Sequence, residues 1–547
     1  MKIESVCIVG AGSSGWMSAA LLSKVCPHLE IAIIEDARTK PIGVGESTLG
    51  HFNKFLDLLE LEDEDWMPAC NATYKNSIRF TNFREGKGEA FEYPFAGHFD
   101  QTFSPNGMNT WGQLALIDPE NFGPESFAEY FTDNTFLAKY NRCTKDEEGK
   151  LRAFDFKYDT AYHLDADLFG KYLKEKIAIP NGVQVIQGHV TGYQPVSSSD
   201  SSLKYIILDK ERAVFADLYI DCTGFRSQIL ERFAGSQYMS YEKKLLNDKA
   251  WATRIPYEDK EKEMHNVTDC HAMKNGWVWN IPLWNRIGTG YCYSSRFCTK
   301  DEAEQEFREH LGERGKDAEL FHIDIRHGKH LEAWKNNVVG IGLSYGFLEP
   351  LESTGLMTTH ENIIHLAYML NLRDGYTTQT DRDNYNYIVM HDIDNLSDFI
   401  AMHYAFSMRT DTPYWRKVTQ NVHYHPASST EWKLKHSSFT DWAMDTIGQH
   451  SIFANHNGIA YIAAGHGYKP TPYLQALKAD FKRLNSAQQS TMRGTMNIGA
   501  EMHQYTIEGL DIVKKDWLTH REKMVEYVES LPTHYQFLKE NIYKEES

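Results

Sequence analysis

Several classes of protein are excluded by what this sequence lacks. None of its eight cysteines, at positions 7, 26, 70, 143, 222, 270, 292 and 298, stands in a Cys-x-x-Cys pair. That spacing is the usual sign of a zinc site or a redox pair, and cysteines so scattered indicate no disulfide framework. His360 and His365 in His360-Glu361-Asn362-Ile363-Ile364-His365 are five apart, not four, so they do not share the helical face that a zinc helix requires. The segment reads as an ordinary helix start, and no metal site is expected. No apolar run reaches transmembrane length, and Met1-Lys2-Ile3-Glu4 does not begin a signal-peptide pattern. A cytoplasmic location is expected. Positive charge is also short: 57 basic against 75 acidic residues give a formal charge of -18. Nucleic acid and anionic membrane surfaces repel such a chain and are not expected partners. There are no internal repeats and no linker that would set off an independent module.

What is present is enough apolar material for a large interior. The chain is 41% hydrophobic and 13% aromatic over 547 residues, which suggests a large two-part fold or two to three domains. Ser5-Val6-Cys7-Ile8-Val9 suits a buried strand. Gly10-Ala11-Gly12-Ser13-Ser14-Gly15 follows at once, then a helical pattern from about Trp16 to Lys24, then a second strand, Ile31 to Ile34, ending in Glu35. In this βαβ unit Gly10 permits a tight turn, Gly12 lets the backbone approach a pyrophosphate, and Gly15 allows close helix-strand packing. The helix N-terminus, with Ser13 and Ser14, attracts phosphate charge. Glu35 would accept hydrogen bonds from a ribose diol. A dinucleotide site is expected here.

Other stretches have more than one reading. Gly43, Gly45, Glu46 and Ser47 in Pro41-Ile42-Gly43-Val44-Gly45-Glu46-Ser47-Thr48 suit close approach to a ligand or a plain loop. Lys75, where a loop enters a strand, would ordinarily be a solvated surface charge. Phe91-Glu92-Tyr93-Pro94-Phe95 fits an aromatic core strand. Asp165 is a good N-cap for a helix, with strands expected around 183–187, 205–208 and 217–220. Trp277 and Trp279 in Gly276-Trp277-Val278-Trp279-Asn280-Ile281-Pro282 share one face of an extended segment, and Pro282 would end it. Gly342 and Leu343 follow a further short strand. Glu352, Ser353 and Thr354, ahead of Gly355, could cap a following helix.

Taken together, the stretches V-G-E-S-T, the lysine of Asn71-Ala72-Thr73-Tyr74-Lys75, W-x-W-x-I-P, Leu348-Glu349-Pro350-Leu351-Glu352-Ser353-Thr354-Gly355 and Asp411-Thr412-Pro413-Tyr414-Trp415 resemble the flavin-dependent halogenases. The likeness is greatest to the tryptophan-halogenase type, in the family's order from Val9 to about Trp415. The resemblance implies a mixed α/β fold, with a Rossmann-like FAD-binding core of the flavin-monooxygenase kind and a mostly helical C-terminal region. It places an FAD-binding and halogenation core with an inserted substrate-facing sheet at 1–400, and a helical substrate-covering region at 401–547. FAD becomes the expected cofactor, bound as FADH2 at Gly10, Gly12, Ser13, Ser14, Gly15, Glu35, Gly43, Gly45, Glu46, Ser47, Gly342 and Leu343. A separate flavin reductase would supply it, since one dinucleotide fingerprint is present and no reductase module is evident.

The resemblance further implies that O2 and chloride, bromide or iodide are converted to hypohalous acid, with halide held near Ser353, Thr354 and Gly355. Lys75 and Glu352 would be the catalytic pair. Lys75 would either polarise hypohalous acid by hydrogen bonding or form a haloamine, and Glu352 would position the halogen or take the ring proton. Trp277, Trp279, Ile281 and Pro282 would wall the flavin from the substrate, favouring halogenation over hydroxylation. Tyr93, Pro94, Phe95 and Phe453 are the substrate-pocket candidates. Members acting on free tryptophan often carry histidine where Tyr93 stands, and an aromatic pair and an acid where this chain has Phe453-Ala454 and Gln449. An electron-rich indole, phenol or pyrrole other than free tryptophan is therefore expected. A flavin-dependent hydroxylase and a non-catalytic flavin-binding protein are the competing readings.

Overall fold

The computed structural model describes residues 2–38, 45–95, 100, 102–103, 108–420, 456–467 and 507–544. They belong to two compact units. One comprises Met1–Lys75, Thr160–Ile400 and His534–Ser547; the other comprises Asn76–Asp159 and Ala401–Thr533.

The first unit begins with the expected βαβ pattern. β1 (Ser5–Val9) runs into α1 (Ser13–Val25) and returns as β2 (Glu30–Glu35). β1 and β2 pair in parallel, with Val9 opposite Ile34. Val6 to Val9 are buried without alternation, as expected of a parallel strand covered on both faces. Next come three short strands, β3 (Glu46–Ser47), β4 (Thr73–Lys75) and β5 (Ala161–Leu164). They form an antiparallel sheet with β5 in the middle, where Ser47 and Thr73 both pair with His163 and Lys75 pairs with Ala161. Asp165 then caps α2 (Ala166–Leu173), its carboxylate accepting from the Asp167 and Leu168 amides.

β6 (Gln184–Gln187) and β7 (Leu218–Asp221) rejoin the first sheet on either side of the β1–β2 pair. The chain then builds an antiparallel layer from β8 (Lys249–Ile255), β9 (Val267–Ala272), β10 (Gly276–Pro282), β11 (Ile287–Tyr293) and β12 (Phe321–Asp324). Their order is β12-β8-β11-β10-β9. β13 (Trp334–Lys335) and β14 (Val338–Gly340) complete the first sheet, in the order β13-β14-β7-β1-β2-β6. Cys7, Val9, Ile34, Tyr219 and Val338 form its core with Ile229 and Leu230. A turn at Pro350–Glu352 leads into α3 (Thr354–Leu372).

The second unit contains a hairpin, Ser77–Thr81 with Ala90–Pro94, and helices including Ser126–Phe131, Asn134–Tyr140, His456–Gly465 and Ile507–Glu529. Thr412 caps Pro413–Val418 by accepting from the Trp415 amide. Among the described residues no helix is long and apolar enough to cross a membrane.

The glycine turn is under different constraints at each position. Gly10 has φ +106°, and a Cβ there would lie 2.4 Å from the Cys222 carbonyl oxygen; at Gly15 it would lie 2.0 Å from the Gly10 oxygen. At Gly12 nothing lies within 4 Å. Gly10→Ala is therefore expected to cost about 3 kcal/mol and Gly12→Ala about 1 kcal/mol or less, by urea denaturation. Equal losses at the two positions would contradict this packing.

Candidate active site

A cavity of about 1110 Å³ opens in the first unit, where the β1–α1 turn, the antiparallel layer and the start of α3 come together. Of the residues expected around a cofactor, Gly10, Gly12, Ser13, Ser14, Glu35, Gly45, Glu46, Ser47, Gly342 and Leu343 line it. Gly15 does not, because it packs under the turn against Gly10, and Gly43 lies outside the described residues. The open space beside Gly12, at the N-terminus of a 13-residue helix, is the kind of cradle a pyrophosphate needs. Gly342, at φ +64°, lets the backbone pass close to Ser14, whose Oγ would lie 2.4 Å from an added Cβ.

Two carboxylates in the cavity are shifted in opposite directions. Burial alone would raise the Glu35 carboxyl. Both its oxygens accept from Lys174 at 2.9 Å and one accepts from Gln187 at 2.6 Å, which holds it below its ordinary value. Glu46 has no such compensation: burial, with the neighbouring Asp167 charge, pushes it up to about 7.

Lys75 lies at the end of β4 and is fully buried. Its Nζ donates to the Thr48 carbonyl at 2.9 Å and to Ser353 Oγ at 2.8 Å, and Ser353 Oγ donates to Ser47 Oγ at 3.0 Å. Burial pushes the amine down to about 7, against the upward pull of Cys270 and Glu352. Glu352 is also buried, 1% exposed, one residue before Ser353. Lys75 and Glu352, nearly 280 residues apart in sequence, thus act on one another in one interior. Ser353 stands at the N-cap position of α3, yet its side chain makes no capping bond. At φ 57° the backbone is left-handed, and the hydroxyl serves Lys75 and Ser47 instead. The helix-cap reading of Ser353 is therefore corrected. Ser353, Thr354 and Gly355 line the cavity, and nothing stands closer to the space beside Gly355 than Glu46 Oε2 at 3.9 Å.

The two tryptophans share a face of β10, but they differ in position. Their rings are 6.0 Å apart and tilted by 58°, so they do not make a flat wall. Trp279 and Ile281 line the cavity, whereas Trp277 and Pro282 do not. Trp277 is wholly buried, and its indole N–H donates to Glu349 Oε2 at 3.0 Å, which also accepts from Asn247 at 2.7 Å. Trp279 lies against β11, where its register partner is Gly290. A Cβ on Gly290 would stand 2.2 Å from the indole ring. The buried partners Cys270, Asn247 and Gly290 carry no motif and were not legible in the sequence, while Thr48 and Glu349 stand in motif stretches that do not reveal their bonds to Lys75 and Trp277.

In the second unit Tyr93 lies opposite Ile78 in the hairpin. Its ring is 5.8 Å from that of Tyr461, which meets Phe127 edge-on at 5.6 Å. Pro94 and Phe95 are buried, with the Phe95 carbonyl accepting from Asn134 at 2.8 Å. Phe453, Ala454 and Gln449 lie outside the described residues. Among the described residues no group of His, Cys, Asp and Glu is arranged to hold a metal ion.

The chain is similar to known proteins in both sequence and fold. The model of the tryptophan halogenase family matches residues 5–480. A 7-chloro-L-tryptophan 6-halogenase, KtzR of Kutzneria sp. (strain 744), is 35% identical over 430 residues, covering 75% of this chain and 80% of its own. Among solved structures, VirX1 in its apo form is 61% identical over the whole of both chains, with a TM-score of 0.89. The tryptophan 6-halogenase SttH of Streptomyces toxytricini is 27% identical over 98% of this chain and 99% of its own, with a TM-score of 0.80.

Gly290→Ala should force Trp279 from its place. A loss of about 2–4 kcal/mol in denaturant unfolding is expected. A variant as stable as the parent would mean that the indole has room to move.

Proposed function

Because this chain belongs to the tryptophan halogenase family and is a flavin-dependent halogenase, we propose that Lys75 and Glu352 halogenate an electron-rich aromatic compound other than free tryptophan. The observation that carries the reading is the buried Lys75 amine, bonded to Ser353 at the mouth of α3 and under the charge of Glu352.

Gly10, Gly12, Ser13 and Ser14 would hold the pyrophosphate of FAD, with Glu35 at the ribose and Gly45, Glu46, Ser47, Gly342 and Leu343 around the remainder. When bound and reduced, FAD supplies with O2 the oxidising power that turns halide into hypohalous acid. The helix start at Ser353, Thr354 and Gly355 suits a halide, because α3 offers unpaired amides and a partial positive charge to an anion. Trp279 and Ile281 keep water and substrate from the cofactor side, and Trp277 and Pro282 back them.

Lys75 then holds the hypohalous acid. As an ammonium it hydrogen-bonds the oxygen and gives it a proton as the aromatic π system attacks the halogen, so that the oxygen leaves as water and Lys75 is left as the amine. As an amine it takes the halogen itself, releasing water, and passes it on. Its depressed pKa makes both forms accessible near neutrality. Glu352 accepts the proton from the ring carbon that has gained the halogen. Tyr93 and Phe95, with Pro94 between them, are the aromatic substrate-pocket candidates of the second unit. Tyr93 in place of histidine, with Phe453-Ala454 and Gln449 in the sequence, supports a substrate other than free tryptophan. A separate flavin reductase supplies reduced FAD.

Incubation with a flavin reductase, oxygen, each halide in turn and a panel of indoles, phenols and pyrroles should yield halogenated products by mass spectrometry. A hydroxylated product, or none from any combination, would overturn the reading. Lys75→Ala is expected to lose product formation by at least about a hundredfold while still binding FAD. The rate should also change with a midpoint near pH 7, and Lys75→Arg, charged throughout, should lack that transition. An unchanged profile in Lys75→Arg would place the titrating group elsewhere.

A further inference from the structure

The Ser353–Ser47 hydrogen bond continues beyond the residues that the reaction uses. Ser47 Oγ lies 2.8 Å from Thr268 Oγ1, and Thr268 Oγ1 lies 2.8 Å from His163 Nε2. On the far side of the ring, His163 Nδ1 lies 3.3 Å from Thr73 Oγ1, which donates to the Pro282 carbonyl at 2.6 Å. The short sheet β3-β5-β4 makes this possible, since Ser47 and Thr73 are both register partners of His163. Every member is buried, at 5% exposure or less.

The donor direction follows from counting protons. Thr73 spends its one hydroxyl proton on Pro282, whose oxygen can only accept. His163 Nδ1 must therefore donate to Thr73, which leaves Nε2 of a neutral ring as an acceptor. Thr268 must donate to Nε2, Ser47 to Thr268, Ser353 to Ser47, and Lys75 to Ser353. The chain has one consistent polarity, running from the amine to the imidazole.

We propose that Lys75, Ser353, Ser47, Thr268 and His163 form a proton wire that moves one proton between the Lys75 amine and the His163 ring. The proton leaves Lys75 Nζ for Ser353 Oγ. Each hydroxyl passes on the proton it held, and Nε2 gains one. The ammonium becomes an amine, the imidazole becomes an imidazolium, and every hydroxyl in the wire reverses. Both end states satisfy all the hydrogen bonds, because the imidazolium donates from both nitrogens and the amine accepts from Ser353. The assignment rests on Lys75 as the halogen-handling group, and it explains how a lysine fully out of solvent changes protonation state. Glu352 and Cys270 face Lys75, and both favour the ammonium. His163 is held well below its ordinary value by burial, with the charges of Lys75 and His534 adding to it and a hydrogen bond to the Pro282 carbonyl opposing them, so the proton rests on Lys75 and returns there. Thr268, Ser47 and Ser353 all line the cavity. His163 is a positioning residue in this scheme, as it reaches the site only through the hydroxyls.

The test uses the whole protein labelled with 15N at histidine, without substrate, halide or reductase. The His163 signals are identified by their loss in His163→Gln. They should show a proton on Nδ1 and none on Nε2, and they should move with a midpoint near that of Lys75, about 7. The movement should vanish in Lys75→Met and shrink at least about fivefold in Thr268→Val and in Ser47→Ala, each of which removes one hydroxyl from the wire. A proton on Nε2 would overturn the wire. So would movement that survives both hydroxyl deletions, because it would then report the Lys75 charge through space. In turnover, Thr268→Val and Ser47→Ala should each lower kcat about tenfold at unchanged KM and shift the pH midpoint; unchanged kcat and pH profile would exclude the wire from the reaction. A parent protein that halogenates nothing would count against Lys75's assigned chemistry, while the histidine signals would still decide whether the wire exists.

Discussion

The first unit's interior is organised around an amine that has been taken out of water. A desolvated ammonium is costly, and a lysine in such a place either loses its proton readily or finds groups that favour the charge. Lys75 has both tendencies. Burial draws its pKa down to about 7, while the Thr48 carbonyl, Ser353, Glu352 and Cys270 support the charged form. The parts that meet there arrive from distant stretches of chain. β3 brings Ser47, β4 brings Lys75, β5 brings His163, and the turn before α3 brings Glu352 and Ser353. The left-handed backbone at Ser353 is part of this arrangement, since it turns the hydroxyl away from its own helix.

The cavity beside this amine depends on a second constraint, close approach of backbone to backbone and of ring to backbone. Gly10 and Gly15 let β1 turn into α1 with no intervening side chain, and Gly290 makes room for the Trp279 ring on the antiparallel layer. Trp277, one alternation along β10, donates its indole N–H to Glu349, which also accepts from Asn247. A neutral indole N–H bonded to a buried carboxylate that also accepts from an amide is a fixed arrangement. The two tryptophans therefore differ in place, Trp279 lining the cavity and Trp277 buried against Glu349.

Much of the architecture was legible in local pattern. The unbroken apolar run of β1, the glycine spacing after it and the acid closing β2 describe a parallel βαβ unit, because each feature answers a constraint within a few residues. Asp165 as a cap was legible for the same reason. The alternation in β10 correctly placed Trp277 and Trp279 on one face. It could not foretell the 58° tilt between them, which neighbouring strands impose. Ser353 read as a helix cap because its position allows one; its actual partners, Lys75 and Ser47, lie hundreds of residues away.

The sequence by itself determined the family and the opening βαβ unit, because motifs and periodicities are short-range and survive without coordinates. It also carried Lys75 and Glu352, through the stretches in which they stand. Only the tertiary structure decided that Lys75 is buried and that Ser47, Thr268 and His163 continue its hydrogen bonds. A strand of two or three residues has almost no pattern to read, and the pairing of β3, β4 and β5 depends on chain segments brought together by folding. Which hydroxyl donates to which depends on that pairing in turn, and so does the direction in which a proton can move.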